Sequence, residues 1–472
     1  MNKKRILTAV LSTAMLLSTA SGCSSSSTGN TSTTAAASSA GSTGGASSVS
    51  ASVTSTASDA PIEIVYWHSM GGSGGEAVEK FVEDFNASQS QIHVTAEYQG
   101  AYDDAITKLK SAAAGGAGPN IMQLYEIGSR WMIDSGYAVV MQDYIDADGY
   151  DLSVLEPNVL AFYTIDGKLQ SMPFNSSTPI LYYNKDMFEA AGLDPEKAPA
   201  NWAELEEYCK KLTKTENGQT IYGATFQIYG WFFEQYMSKE GVYYANNENG
   251  RAALATAVEF DQNGVGLAFF EKWKDLVDKG LMGNMGRDGT SINNSFIAGQ
   301  TAMIMNSTAG LPTILKGVNG AFEVGTAFIP GLSENSTGGV SIGGASNWLM
   351  NKGDDATKLA AFQFLKYVTE PEQQLYWHEQ TGYFPINTKV YELDGMKAHL
   401  EQLPQFQTAI DQLHASSPKS CGALLGIFPE ARQIIEQNWE EMLAGAMTPQ
   451  QVVDKCASEI NASIEQYNIA NS

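Results

Sequence analysis

Histidine and cysteine are scarce in this chain, five and four among 472 residues. No His/Cys cluster stands at metal-ligand spacing, so a zinc site built from neighbouring ligands is excluded, and no metal or cofactor is expected. Positive charge is also short. There are 28 Lys and Arg against 52 Asp and Glu, a formal net charge of −24. Such a balance excludes nucleic acid as a partner, because phosphate backbones are held by basic surfaces. No phosphate-cradling P-loop is present. Apart from one short stretch near the start, no segment is apolar enough to span a bilayer. Any transport therefore depends on a separate membrane partner.

What is present begins with a basic head, Lys3, Lys4 and Arg5, and an apolar stretch from Ile6 to Leu17. Thr19-Ala20-Ser21-Gly22-Cys23 follows. This pattern predicts a secretion signal over 1–22, cut before a lipidated Cys23. Removing it takes away three positive charges and no negative ones, leaving −27. Residues 24–58 carry no charge and are almost all Ser, Thr, Ala and Gly, so 23–59 reads as the lipidated cysteine and a flexible tether. The expected location is the extracellular face of the cell membrane, or the periplasm if a second membrane exists. Cys209, Cys421 and Cys456 remain, enough for one bridge at most; a Cys421–Cys456 pair is one option.

Residues 60–472 are too many for one small core, and two lobes are expected. Their elements alternate. Strands are read at Ile62–Tyr66, Ile92–Tyr98 and Ile121–Tyr125, and helices at Glu76–Phe85 and Ala105–Ala113. This order predicts an α/β sheet with helices on both faces and a ligand beyond the carboxyl ends of its strands. Trp67, His68, Ser69, Gly100, Tyr102, Tyr125 and Glu126 stand at those ends. Rings, hydroxyls and a carboxylate suit a small polyhydroxylated molecule. PFNSSTPILYYNKDMF, residues 173–188, sets Asn175, Ser176, Ser177 and Thr178 between two prolines and ahead of a buried run. It reads as a crossing strand with polar groups facing a gap, or as a polar turn. Gly343 and Gly344 precede a strand at Trp348–Met350 and would let a backbone approach a ligand. Helices are read at Ala356–Thr369 and Glu372–Gln380, the second ending in a turn that presents Tyr383.

Two stretches fit the G-x-S-x-G elbow, around Ser73 and Ser341, as a chain with 45 glycines readily produces. A secreted serine hydrolase using Ser73 is the alternative, with His399 or His414 as its base. An adhesion or signalling domain is the third reading. Asp146, Asp148 and Asp151 form an acidic turn rather than an EF-hand, since the glycine falls at the wrong place.

The chain resembles the extracellular solute-binding proteins of ABC-type importers, and among them is most similar to the sn-glycerol-3-phosphate-binding proteins. The matching stretches are YWHSMGG (66–72), YQGAYDDAI (98–106), IMQLYEIG (121–128), PFNSSTPILYYNKDMFEAAGLDPEKAP (173–199), SIGGASNWLM (341–350) and WHEQTGYFPI (377–386). The resemblance implies a periplasmic-binding-protein-like type II fold, two α/β lobes joined by a hinge with an interlobe ligand cleft. Lobe 1 is expected at 60–173 plus 331–395 and lobe 2 at 174–330 plus 396–472. It implies a non-enzymatic monomer that captures a small polar solute and delivers it to ABC permease subunits. The implied ligand contacts are Tyr102, Glu126, Ser177, Trp231, Ser307, Gly344 and Tyr383. Tyrosine and serine hydroxyls would bond the ligand, Glu126 would accept from one of its hydroxyls, and Trp231 would form an apolar wall. One departure stands out. The arginine of a Gly-x-Arg-Leu-Gly stretch in the phosphate-binding members is Leu424 here, and leucine offers a phosphate no donor. Arg432, eight residues on, matches a different position. The expected ligand is like glycerol phosphate in size and polarity, or is a neutral sugar or polyol.

Overall fold

The computed structural model describes residues 60–417 and 420–471. The secretion signal, Cys23 and the tether lie outside them. Strand β1 (Ile62–His68) leads through helix α1 (Gly72–Ser88) to β2 (Ile92–Tyr98), and α2 (Tyr102–Ala114) leads to β3 (Ile121–Tyr125). Helix α3 (Pro157–Tyr163) precedes β4 (Met172–Ser177), which is followed at once by β5 (Pro179–Asn184). Helices α4 (Gly230–Lys239) and α5 (Val265–Asp278) come before β6 (Met303–Ser307), β7 (Val324–Ala327) and β8 (Gly343–Leu349). The rest is helical: α6 (Asp355–Val368), α7 (Pro371–Thr381), α8 (Gln405–Ala415), α9 (Phe428–Leu443) and α10 (Pro449–Ala470).

Two principal sheets result. The larger has the order β2-β1-β3-β8-β4 and the smaller β6-β5-β7. The first three strands of the larger sheet are parallel, as alternation with helices requires. β8 runs antiparallel to both β3 and β4, so the sheet is mixed. β3, β4 and β5 are buried at every residue. Thr178 alone separates β4 in one sheet from β5 in the other. Pro173 and Pro179 bracket this passage, and the fixed φ of proline keeps it extended.

The sheet faces are covered by aromatic side chains. Phe174 stacks on Trp377 with centroids 4.5 Å apart, and Phe85 meets Phe364 edge-on at 5.2 Å. A second cluster gathers Phe233, Phe269, Trp273 and Trp439, the last two 4.4 Å apart and nearly perpendicular. Offset and edge-on ring pairs of this kind add to the burial of large apolar surfaces. Cys456 is a buried thiol and is not joined to Cys421. Among the described residues no helix is long and apolar enough to cross a membrane.

A buried carboxylate ties the start of α3 to α8. Glu156, 1% exposed, accepts from the Tyr391 hydroxyl at 2.7 Å and bonds to His414 Nε2 at 3.0 Å. That bond raises the His414 pKa above its ordinary value, against an opposing effect of burial. A raised folded-state pKa contributes stability that is fully present below the unfolded value, near 6.5, and is lost as pH rises through the folded value. The stability gap between the parent and His414→Gln is therefore expected to be widest below about pH 6.5 and to close at alkaline pH. Melting curves across that range check this, and a gap independent of pH contradicts it.

Candidate functional site

The carboxyl end of β3, the end of β4 and the start of β8 meet at one place. In the register Ala345 faces Tyr125, Gly344 faces Ser176 and Gly343 faces Ser177. A bulge lies between Ala345 and Ser346. Gly344 has φ +99, and an added Cβ there would fall 1.9 Å from the Asn175 carbonyl oxygen. A Cβ on Gly343 would meet the Trp231 indole at 2.6 Å. The two glycines thus admit the protein's own backbone and an indole ring, close approaches that no other residue permits.

A chain of hydrogen bonds organises the junction. Gln123, fully buried in the otherwise apolar β3, accepts from Ser69 N–H at 2.7 Å and donates to Asn175 Oδ1 at 2.7 Å. Asn175 in turn donates to the Tyr102 hydroxyl at 2.8 Å. Tyr102 opens α2, placed there by the turn at Gly100, whose φ is +90. Its ring stacks on Tyr125 at 5.3 Å. The Tyr383 phenol faces the same Asn175 and Tyr102 groups, and its ring stacks on Trp377. Burial raises both phenol pKa values, so both hydroxyls remain protonated at neutral pH.

The other contacts implied by the resemblance arrive from nearby. Phe384 N–H donates to the Ser176 carbonyl at 2.9 Å, which pins the Tyr383 turn to the end of β4. Ser307 faces Pro179 across β5 and β6, and its hydroxyl accepts from Ala309 N–H at 3.2 Å. Trp231 lies at the start of α4, and its indole N–H has no partner; Ser176 Oγ is also buried and unpartnered. Both orphan atoms sit beside Gly343 and Gly344. Buried polar groups ordinarily have a partner, and these two are among several in the described residues that have none. Of the seven residues expected from the sequence, Tyr102 and Tyr383 line cavities beside this junction, Ser177 and Gly344 belong to its strand pair, Trp231 packs on Gly343, Glu126 follows β3, and Ser307 lies across from Pro179 in the smaller sheet.

Two cavities flank it. One of about 310 Å³ is lined by Tyr102, Asp103, Tyr125, Tyr229, Arg432 and Glu436. The other, about 480 Å³, is lined by Ser69, Ser73, Tyr98, Tyr102, Thr381 and Tyr383. Tyr102 belongs to both.

Glu126 is 5% exposed and accepts from Arg432 Nη2 at 2.6 Å. Arg432 also grips Glu234 with two bonds, Nε to Oε1 at 2.6 Å and Nη2 to Oε2 at 2.9 Å. Burial pushes the Glu234 carboxyl up to about 7, against the pull of Arg432. The guanidinium stays charged, because the two carboxylates outweigh its own burial. Neither Glu234 nor Gln123 was expected from the sequence. Gln123 carries a signal in hindsight, a lone amide inside a strand of apolar residues. Glu234 carries none, since its partner is 198 residues away.

Some strand-end residues expected to line the site do other work. Trp67 lies within β1 and donates to Glu97 at 2.7 Å, and His68 is buried between the rings of Tyr66 and Tyr98. Leu424 is buried in its loop, where its N–H donates to the Asn249 carbonyl. Ser73 is exposed on the first turn of α1. His414 is engaged by Glu156, and His399 packs edge-on against His378 and Phe406.

Known proteins give an independent comparison. Residues 80–408 match the family model described as bacterial extracellular solute-binding protein. The sn-glycerol-3-phosphate-binding periplasmic protein UgpB of Pectobacterium atrosepticum is 31% identical over 426 residues, covering 89% of this chain and 95% of that protein. The protein of the same name from Escherichia coli K12 is 31% identical over 417 residues, 87% and 94% of the two chains. Among solved structures, UgpB from Mycobacterium tuberculosis in complex with glycerophosphocholine superposes with a TM-score of 0.73 at 22% identity, over 87% of this chain and 99% of that one. The cyclic alpha-maltosyl-1,6-maltose binding protein of Arthrobacter globiformis gives 0.71 at 24% identity, over 86% and 100%.

Proposed function

The chain belongs to the bacterial extracellular solute-binding proteins, and from that premise we propose that it captures a small polyhydroxylated solute between two lobes and surrenders it, unchanged, to membrane permease subunits. It has the type II periplasmic binding-protein fold, and two of its structural neighbours are named as an ABC substrate-binding protein and an ABC transporter solute-binding protein. The supporting observation is the junction of β3, β4 and β8, where the Asn175 amide meets the Tyr102 and Tyr383 hydroxyls beside two cavities.

In this reading, residues 60–173 with 331–395 form one lobe and 174–330 with 396–472 the other, the passage at Thr178 being one crossing. Tyr102, Tyr383, Ser177 and Ser307 bond solute hydroxyls, Glu126 accepts from one through the oxygen that Arg432 leaves open, and Trp231 covers a C–H face. Gly344 keeps the floor of the cleft low. Closure is favoured only so far as the solute binds the closed state better. Cys23 carries the lipid that holds the monomer at the outer face of the membrane, with the Ser-rich tether as spacer. No chemistry is performed on the solute; the exposed Ser73 lacks an assembled base in His399 or His414.

Titration calorimetry of the chain lacking its first 22 residues tests the assignment, with maltose, maltotriose, glycerol, glycerophosphocholine and glycerol 3-phosphate as probes. Saturable heat with one or more, and recovery of that probe unchanged, is expected. Trp231→Leu should weaken the binding by roughly 1–3 kcal/mol, the worth of a lost ring face and indole donor. Absence of heat from all five, or consumption of a probe, removes the reading.

A further inference from the structure

Resting on that reading, we infer that Glu234 and Glu126, by holding Arg432 between them, make the cleft select uncharged polyhydroxylated solutes over phosphate esters. Arg432 lines the cavity beside Tyr102 and bonds Glu126 directly. Its Nε–H and both Nη2 hydrogens are taken by carboxylate oxygens at 2.6–2.9 Å. What remains, the Nη1 edge, belongs to a guanidinium packed over the rings of Tyr229 and Phe428. A phosphate is held by a guanidinium that presents two parallel N–H groups. Here the fork is already filled by Glu234.

The neighbouring cation is engaged only in part, one bond to each of two carboxylates, with its Nε–H left without a partner. Arg287, on the wall of that cavity, bonds Glu436 at 3.2 Å and Glu440 at 2.6 Å. Asp103 lines the cavity too and accepts from the Tyr125 hydroxyl. Two guanidiniums therefore face five carboxylates, Asp103, Glu126, Glu234, Glu436 and Glu440. The formal balance is −3 with all of them ionised and −2 with Glu234 protonated. A phosphate monoester would enter a field of its own sign, with the Arg432 fork already closed by Glu234. A neutral sugar or polyol meets hydroxyls, a carboxylate oxygen and tyrosine rings, with no charge to repel. The curated relatives are named for a phosphate ester, so this inference sets the present chain apart from them by ligand charge. Glu234 is a positioning residue in this account, since it acts through Arg432.

The test compares glycerol, maltose and maltotriose with glycerol 3-phosphate and glucose 6-phosphate by calorimetry, on the parent and on Glu234→Gln. The parent is expected to bind one neutral probe at least tenfold tighter than either phosphate, and Glu234→Gln to narrow that ratio at least tenfold. Should the variant fail to fold, the parent alone still decides. Repulsion is screened by salt, so phosphate binding should strengthen between low and high ionic strength while neutral binding stays level. Tighter binding of a phosphate than of every neutral probe, a ratio unmoved by Glu234→Gln, or phosphate binding that weakens with salt each overturns the inference while leaving the receptor assignment intact. Silence from all five probes overturns the receptor assignment and this inference with it.

Discussion

Arg432→Met is expected to lower the unfolding free energy by about 3–5 kcal/mol, the usual cost of stripping the partner from a buried charge. The side chains of Arg432, Glu126 and Glu234 are 8%, 6% and 10% exposed. Without the guanidinium, two carboxylates are left to protonate or to draw water into the interface of α4 and α9. The loss should appear as a lower urea midpoint at unchanged slope. Replacing the whole cluster, Arg432→Met with Glu126→Gln and Glu234→Leu, should recover most of it, because a buried ion network contributes little net stability over well-packed neutral groups. A single variant that loses less than about 1 kcal/mol would show that water already reaches the cluster.

Gly344→Ala carries the second large effect. The residue sits at φ +99, where an L side chain is strained, and its Cβ would lie 1.9 Å from the Asn175 carbonyl oxygen. The obstacle is the backbone of β4, paired to β8 and buried at every residue, and cannot swing aside. Strain of about 1–3 kcal/mol combines with overpacking of similar size. Relief requires β4 and β8 to part, which would pull Asn175 from Gln123 and Tyr102. Solute binding should fall more than tenfold, along with the melting temperature. Gly241→Ala is the control. It has a positive φ of 72 and nothing within 4 Å of an added Cβ, so it should cost about 1 kcal/mol and leave binding alone. Equal behaviour of the two alanine variants would refute the close-packing argument.

The strands of the first parallel unit were legible because they are short, apolar and bounded by breakers; Ile92–Tyr98 and Ile121–Tyr125 fall where the sequence puts them. Helix α1 begins four residues before its expected start, since Gly72–Gly75 reads as a loop yet forms the first turn. Gly343 and Gly344 were recognised as a point of close approach, but what approaches is Asn175 and Trp231. The antiparallel insertion of β8 between β3 and β4 leaves no local trace, because pairing is set by partners far along the chain. The same holds for the Glu126–Arg432–Glu234 cluster, whose members lie in three unrelated segments. Glu126 follows directly on β3, Tyr102 opens α2 and Tyr383 stands two residues past α7, so the sequence could place each at an element boundary. Trp67 and His68 misled for a related reason: β1 runs two residues further than its apolar pattern suggests.

The position of β8 also sets a timetable. It lies opposite Tyr125 and Ser177, so the strand that closes the larger sheet leaves the ribosome roughly 160–220 residues after its neighbours. At about 5–20 residues per second, that is a delay on the order of ten seconds or more. Through that interval β3 and β4 have unpaired inner edges made of buried-type residues, the kind of surface on which chains aggregate. A product truncated before Gly343 would keep those edges open for good, and inclusion bodies, not a smaller soluble domain, are its expected fate.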